Sequence, residues 1–261
     1  VFYTVTPDDT TVKKVEGYLG HKWKITPSLP AEHPYKNRKP LVTGDIPAFI
    51  NVAAYEADRG IAVNDNALVP QWDPVIGAVP LLQANGANQP TFRASAAYSK
   101  LPSVQFAGSH YMDALLGNIG AGNTVIVVGE KTANGVQHSW FDTPNPAARN
   151  HLFIEVGNTW SLFAGSVIAD ATETSPQVGD LHMVACVFDG AESFLRVDRD
   201  NYTLNANPGT ADMQDLRIGM NVNVAYGGHF YLHAIYVTDL VLSNAQLDEI
   251  YTYCRRKWRT P

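Results

Sequence analysis

The sequence predicts an all-β protein, and three observations support this prediction. The chain has 261 residues, 45% of them hydrophobic, which is enough to bury a large core within one domain. Its 20 Gly, 16 Pro and only 17% charged residues favour short strands and tight turns over a helical bundle. From Pro40 onward, short apolar runs recur, with turn residues between nearly all of them. We therefore expect a two-sheet antiparallel jelly-roll sandwich with a C-terminal amphipathic helix and an N-terminal strand, helix and linker appendage.

The predicted strands are short apolar or alternating segments that no helical pattern separates. Turn signals such as Gly157-Asn158 and Asp189-Gly190 lie between them. Strands joined in this way pair antiparallel and pack as two sheets face to face. The predicted strand segments are residues 46–52, 79–82, 103–106, 124–128, 151–156, 159–163, 181–188, 193–197, 216–218 and 230–237.

The two ends of the chain carry similar patterns. Residues 12–23 align without gaps with residues 247–258, and each segment has apolar residues at helical spacing and ends in Trp. We predict that both are amphipathic helices. Four prolines between residues 25 and 40 indicate a linker. The predicted domains are therefore residues 1–40, the tail of a preceding truncated copy plus a linker, and residues 41–261, the jelly-roll domain.

Charge is distributed unevenly along the chain. Residues 1–40 contain seven Lys or Arg and four Asp or Glu, a net charge of +3, whereas residues 41–261 contain twelve and twenty-one, a net charge of −9. An acidic body repels phosphate, so we predict no nucleic-acid partner and disfavour strongly anionic glycans, while neutral sugars and calcium stay open. No apolar run approaches the roughly 20 residues of a membrane span, so no membrane insertion is predicted.

Seven short segments follow one another in a characteristic order between residues 41 and 258. They are residues 46–49 (IPAF), 71–73 (QWD), 89–92 (QPTF), 101–108 (LPSVQFAG), 179–185 (GDLHMVA), 216–219 (LRIG) and 242–247 (LSNAQL). In this order they resemble the concanavalin A-like (laminin-G-like) lectin and glucanase jelly rolls, in the version found in bacteriophage virion proteins and bacterial surface proteins. The resemblance implies carbohydrate binding and cell adhesion at a virion surface or in an extracellular setting. It also implies that the partners are a cell-surface glycan, other virion subunits or a second copy of the chain.

Glucanases of this fold place two glutamates and an aspartate on one strand face, because period-two spacing brings paired carboxylates into one cleft. The eight glutamates of this chain are isolated, at positions 16, 32, 56, 130, 155, 173, 192 and 249. We therefore predict that the chain is not an enzyme. A hydrolase that assembles its acids from separate strands remains an alternative.

A sugar site needs an aromatic platform beside amide and carboxylate groups. Aromatic side chains flank loops rich in such groups at two places, near residues 140–150 and near residues 226–229. Packing in the core is the alternative for these aromatics, and it is the prediction for Trp72, Trp160 and Trp258. The candidate ligand-binding residues are Trp140, Asp142, Asn145, Asn150, Tyr226 and His229.

Calcium is the candidate metal, because hard cations need clustered oxygen ligands. The candidate ligands are Asp142, Asn145, Asp198 and Asp200, with ordinary turns as the alternative. No other cofactor is predicted. His229 and His233 lie on one predicted strand, about 13 Å apart at strand spacing, which is too far to share a zinc ion. We therefore predict that these two histidines are hydrogen-bonded within the fold or face solvent.

The sequence thus favours a non-catalytic adhesion, glycan-binding or decoration module of a phage virion surface protein, such as a fibre, spike or capsid decoration. The first alternative is a purely structural virion or oligomerisation module. The second is a polysaccharide-cleaving enzyme of the glucanase fold. Cys186 and Cys254 lie in apolar surroundings and are predicted to be small core residues, with a disulfide between them as the alternative.

Overall fold

A computed structural model describes residues 12, 13, 16, 19, 25–30, 33, 46–171 and 176–261. The chain divides into two compact units, Val1–Asp45 and Ile46–Pro261. In the first unit, residues 12, 13, 16 and 19 are helical, Thr26–Ser28 forms a 3-10 helix, and His33 Nε2 lies 3.3 Å from Glu16 Oε2. The strand predicted at residues 1–5 lies outside the described residues. That residues 1–40 are the tail of a preceding copy stays a prediction.

The second unit consists of two antiparallel sheets and a C-terminal helix. Two 3-10 helices, Gly86–Asn88 and Gly190–Glu192, interrupt the strands, and the C-terminal helix spans Asn244–Trp258. The described strands are β1 (Ala53–Glu56), β2 (Gln71–Trp72), β3 (Leu81–Leu82), β4 (Thr91–Arg93), β5 (Ser103–Ala107), β6 (Met112–Gly120), β7 (Asn123–Lys131), β8 (His138–Asp142), β9 (His151–Ile154), β10 (Trp160–Phe163), β11 (Ala169–Asp170), β12 (Leu181–Phe188), β13 (Phe194–Val197), β14 (Asp200–Thr203), β15 (Met213–Ile218) and β16 (His229–Thr238).

We call the two sheets sheet A and sheet B. Sheet A has the order β14-β13-β12-β7-β16-β5-β4, and β1 also pairs with β16. Sheet B has the order β11-β10-β9-β8-β15-β6-β3-β2. The chain crosses repeatedly from one sheet to the other, so strands that are neighbours in sequence often lie in different layers.

The core lies between the two sheets. Trp140 on β8 of sheet B stacks on Phe230 on β16 of sheet A, with ring centroids 4.4 Å apart and planes 7° apart. Gly129 on β7 makes this contact possible, because a Cβ atom there would lie 2.6 Å from the Trp140 ring. Trp72, Trp160 and Trp258 are buried, as predicted, and Cys186 and Cys254 are buried and free. The predicted two-sheet antiparallel sandwich is confirmed.

The C-terminal helix covers the outer face of sheet A. Its first turn carries a capping box, in which the Ser243 hydroxyl accepts from the Gln246 N–H while the Gln246 side chain accepts from the Ser243 N–H. The apolar positions Leu247, Ile250, Tyr253 and Trp258 are buried, so the predicted helix and its buried face are confirmed. None of the described helices has the length and apolar character that a membrane span requires.

The strands differ from the prediction in two respects. Residues 46–50 form a turn, in which the Ile50 N–H donates to the Pro47 carbonyl, and the first strand begins only at Ala53. Six described strands were not predicted, because they are very short or because glycines and polar side chains interrupt their apolar pattern: β2, β4, β6, β8, β11 and β14. Phe141 and Asp142 consequently lie on β8, whereas the sequence placed them in a loop.

Candidate functional site

An open cleft of about 720 Å³ is the candidate functional site. Four loops line it: residues 108–109 after β5, residues 136–137 before β8, residues 155–156 after β9, and residues 220–229 between β15 and β16. Its volume falls within the roughly 300–1,000 Å³ of ligand sites in proteins. Two of the predicted ligand-binding residues, Tyr226 and His229, line this cleft.

Asn221 holds the loop that carries Tyr226. The buried Asn221 side-chain oxygen accepts from the N–H groups of Ala225 and Tyr226, at 2.8 and 3.2 Å. The Asn221 N–H donates to the Tyr226 carbonyl, and its own carbonyl accepts from the Val224 N–H. Val224 occupies the left-handed region at φ 56°, which is unusual for a β-branched residue. The loop therefore has a defined conformation, although Tyr226 is 50% exposed.

A close approach of two glycines fixes the base of the same loop. A Cβ atom on Gly227 would lie 1.5 Å from the Gly108 carbonyl oxygen, so no larger residue fits there. The Gly108 N–H donates to the Gly228 carbonyl at 2.9 Å, and the Gly228 N–H donates to the Gly219 carbonyl. The backbone walls of the cleft on this side are thus joined by hydrogen bonds.

Gln137 and Glu155 form the polar side of the cleft. Strands β8 and β9 pair antiparallel with His138 opposite Ile154, so the residues just beyond them, Gln137 and Glu155, come together at the ends of the two strands. Gln137 Nε2 donates to Glu155 Oε1 at 3.4 Å. Burial raises the pKa of Glu155, and the negative charge of Asp170 raises it further. The cleft therefore presents an amide and a carboxylate side by side.

His138 lies behind the cleft wall and supports His229, which lines the cleft. His138 Nδ1 accepts the backbone N–H of His229 at 3.1 Å, and His138 Nε2 lies 3.0 Å from the Ala133 carbonyl. This arrangement requires a neutral His138 ring with its proton on Nε2. Burial lowers the pKa of His138 to about 4, and the nearby His229 contributes in the same direction. The His138 ring is thus an uncharged support for the strand that carries His229.

The other four predicted ligand-binding residues lie elsewhere. Trp140 is only 2% exposed and belongs to the core, so its ring does not face solvent as a platform would. Asp142 is fully buried and accepts both Nε and Nη2 of Arg149, together with the N–H groups of Thr143 and Val222. Asn145 bonds to Gln214, and Asn150 is buried. Sequence reasoning chose these residues by their proximity along the chain, but β8 carries the first two into the interior.

The calcium candidates are engaged in hydrogen bonds of the fold. Asp198 turns the β13–β14 hairpin at φ 54°, accepts the Met183 N–H at 3.0 Å and lies 2.8 Å from His182 Nδ1. Asp200 is exposed at the start of β14. Within the described part of the chain, no group of three or more His, Cys, Asp or Glu side chains could hold a metal ion. Calcium binding at Asp142, Asn145, Asp198 and Asp200 stays a prediction.

His233, in contrast, behaves as the sequence predicted. Its ring is fully buried, with Nδ1 2.7 Å from the Pro102 carbonyl and Nε2 2.7 Å from Glu130 Oε1. Both ring nitrogens of His233 thus have partners within the fold.

Comparison with known proteins gives a similarity of fold. The sequence matches no protein-family model, and no curated protein sequence matches it significantly. A solved structure of Trypanosoma rangeli sialidase aligns over 95% of this chain and 39% of its own, with 11% identity and a TM-score of 0.55. A complex of that sialidase with sialic acid aligns over 82% of this chain and 34% of its own, with 9% identity and a TM-score of 0.55. The chain thus spans between a third and two fifths of the length of these sialidase chains.

A third solved structure, the CBM40 of the Ruminococcus gnavus IT-sialidase bound to sialyllactose, aligns over 50% of this chain with 14% identity. Its TM-score of 0.41 is too low to support an argument about this chain. The sialidase structures nevertheless correct one prediction. The sequence predicted that the chain is not an enzyme, and this prediction is contradicted, because the solved structures that share its fold are those of enzymes.

Proposed function

We propose that residues 46–261 form a carbohydrate-binding domain whose sugar site is the cleft beside Tyr226. The observation that carries the proposal is that an exposed aromatic ring and the Gln137–Glu155 pair line the same cleft. A pyranose ring has an apolar face that packs on an aromatic side chain and a rim of hydroxyls that bond to amides and carboxylates. The similarity of fold to a sialidase that was solved in complex with sialic acid, a sugar, supports the same class of ligand.

Within the sandwich class, we propose the concanavalin A-like (laminin-G-like) type, on the basis of the ordered segments between residues 41 and 258. A cell-surface glycan is then the partner, and the domain works at a virion surface or in another extracellular setting. The same resemblance supports other virion subunits or a second copy as further partners.

The proposal is tested by binding of the full chain to a glycan array, followed by calorimetric titration of each glycan that binds. Replacing Tyr226 by alanine removes the aromatic surface, so we expect the affinity for the bound glycan to fall about tenfold or more. Tyr98→Ala is the matched control, because Tyr98 is 45% exposed and lies outside the cleft lining. Equal affinity of Tyr226→Ala and the unsubstituted chain would contradict the assigned site.

Two further readouts in the same experiment separate the alternatives. The glycans are recovered after incubation and analysed for released sugar, because release would add a hydrolytic activity to binding. The oligomeric state is measured by light scattering on the same sample. An array without any bound glycan overturns the proposed function, and a defined oligomer in that case favours a structural role in assembly.

A further inference from the structure

We infer that the cleft takes a neutral sugar and discriminates against sialic acid and other anionic sugars. This inference rests on the proposed function, because it concerns the ligand class of the same site. It also separates the chain from the sialidase whose complex with sialic acid shares its fold.

Charge is the first observation. Glu155 is the one carboxylate among the described residues that line the cleft, and neither Lys nor Arg is among them. Recognition of a sugar carboxylate in a protein relies on arginine or lysine, because these side chains supply charge-assisted hydrogen bonds. An anionic sugar would therefore lie beside a like charge, with no Lys or Arg side chain in the described lining to compensate it.

The cations on neighbouring strands are already engaged. Lys131, at the end of β7, is 1% exposed and donates to the Asn158 side chain. Arg149 forms a bidentate pair with the buried Asp142, and Arg217 on β15 pairs with Asp113 at 2.7 and 2.8 Å. Turning any of these side chains toward the cleft would break its hydrogen bonds to its present partner.

A second carboxylate increases the negative potential near Glu155. Asp170 on β11 accepts from the Ser161 hydroxyl at 2.6 Å and lies close enough to raise the pKa of Glu155. Burial and a like charge both make the Glu155 carboxylate harder to ionise, and each makes the addition of a third negative group less favourable. A sialic acid, which is ionised at neutral pH, would supply such a group.

The remaining surface suits an uncharged pyranose. Val136, Val156 and Val224 accompany Tyr226 around the cleft, and each is more than 40% exposed. These side chains offer apolar area to the face of a sugar ring, while hydroxyls donate to the Glu155 carboxylate. Hydrogen bonds from a neutral donor to an ionised acceptor are stronger than neutral pairs, so Glu155 favours a ligand that brings hydroxyls.

The test is a glycan array in which each neutral glycan stands beside its sialylated form. We expect the neutral member of a pair to bind at least tenfold more tightly than the sialylated one. Val156→Lys places a cation at the rim, at a position 62% exposed, and we expect it to raise the affinity for sialylated glycans at least threefold at low salt. Glu192→Gln is the control, since it removes an exposed carboxylate outside the cleft lining.

The outcomes distinguish the two proposals. Tighter binding of the sialylated members by the unsubstituted chain, lost in Tyr226→Ala, would overturn the neutral-sugar inference and leave the proposed function standing. An unchanged affinity of Val156→Lys for sialylated glycans would also overturn it, because the missing cation would then not be the cause of discrimination. Absence of binding to both members of every pair would overturn the proposed function itself.

Discussion

Glu56 and Glu155 are the same residue type in two regions of one domain, and their surroundings move their pKa values in opposite directions. Glu56 is fully buried under the C-terminal helix, where it pairs with Arg59 and Lys257. Burial by itself raises the pKa of Glu56, but the charges of Lys257 and Arg59 lower it below its ordinary value. Burial also raises the pKa of Glu155, and there the neighbouring charge is negative and adds to the shift.

Glu56 and Glu155 represent two uses of carboxylates in this chain. Glu56 joins β1 to β16 and the C-terminal helix, because the hydroxyls of Tyr236 and Tyr253 also donate to it. Asp142 has Arg149 as its partner, and Glu130 has His233. Each of these three buried carboxylates contacts a basic side chain, whereas the partners of Glu155 are the amide of Gln137 and the backbone N–H of Val156. A compensated carboxylate holds the fold, and an uncompensated one at a cleft is available to a ligand.

The strongest test of this comparison is Glu56→Gln. The substitution preserves the shape but leaves Arg59 and Lys257 without a counter-ion, so we expect the free energy of unfolding at pH 7 to fall by about 3 kcal/mol or more. Urea denaturation followed by tryptophan fluorescence measures it. A loss below about 1 kcal/mol would show that the charge of Glu56 does not compensate those of Arg59 and Lys257 as described.

The pH dependence of the free energy of unfolding gives a second test of Glu56. The pKa of Glu56 is lower in the folded chain than the roughly 4.3 of an unfolded one, so its stabilisation is complete above that value. The stabilisation is lost as the pH falls through the folded pKa. We therefore expect the difference in the free energy of unfolding between the unsubstituted chain and Glu56→Gln to narrow below about pH 4.

Lys257→Met should have an intermediate effect. It removes one of the two cations from Glu56 and a contact with Asp58 at 3.1 Å, but Arg59 remains. We expect the free energy of unfolding to fall by about 1–2 kcal/mol, within the range for hydrogen bonds to charged groups. Arg256→Met on the same helix is the matched control, because Arg256 is exposed. An equal loss of stability in Lys257→Met and Arg256→Met would show that the contact of Lys257 with Glu56 does not stabilise the fold.

Glu155→Gln should have the smallest effect, with the opposite sign. Because the pKa of Glu155 is raised in the folded chain, its ionised form opposes folding at pH 7, and stability is gained as the pH falls through the folded pKa. The uncharged glutamine should therefore leave stability unchanged or raise it by up to about 0.5 kcal/mol. We expect the difference in the free energy of unfolding between Glu155→Gln and the unsubstituted chain to vanish below about pH 4. Destabilisation at pH 7 would place Glu155 among the residues that hold the fold.

The fold could be predicted from the sequence wherever apolar residues follow one another along a strand. Strand β7 contains the apolar run 125–128 and β12 the apolar run 183–188, so both stand out in the sequence. Strand β8 contains His138, Ser139 and Asp142, whose partners come from distant segments and cannot be read from their own neighbourhood. Buried polar groups of this kind conceal a strand from pattern analysis.

The candidate site was predicted only in part. Tyr226 and His229 were predicted because they flank a loop rich in amide groups, which is a feature of one segment. Gln137 and Glu155 were missed because antiparallel pairing of β8 with β9 brings them together from 18 residues apart. The position of Glu155 at a strand end, just before the Gly157-Asn158 turn, was the one local signal that it borders a loop.

Strand β16 also determines when the domain can fold. It lies between β7 and β5 in sheet A and also pairs with β1, so without it that sheet consists of separate pieces. Its residues, 229–238, pair with β5 and β7, which lie far earlier in the sequence. Contacts of such sequence separation slow folding, because a long loop must close before they form. The facing edges of β5 and β7 therefore stay open until β16 pairs with them, and open strand edges expose a folding chain to aggregation.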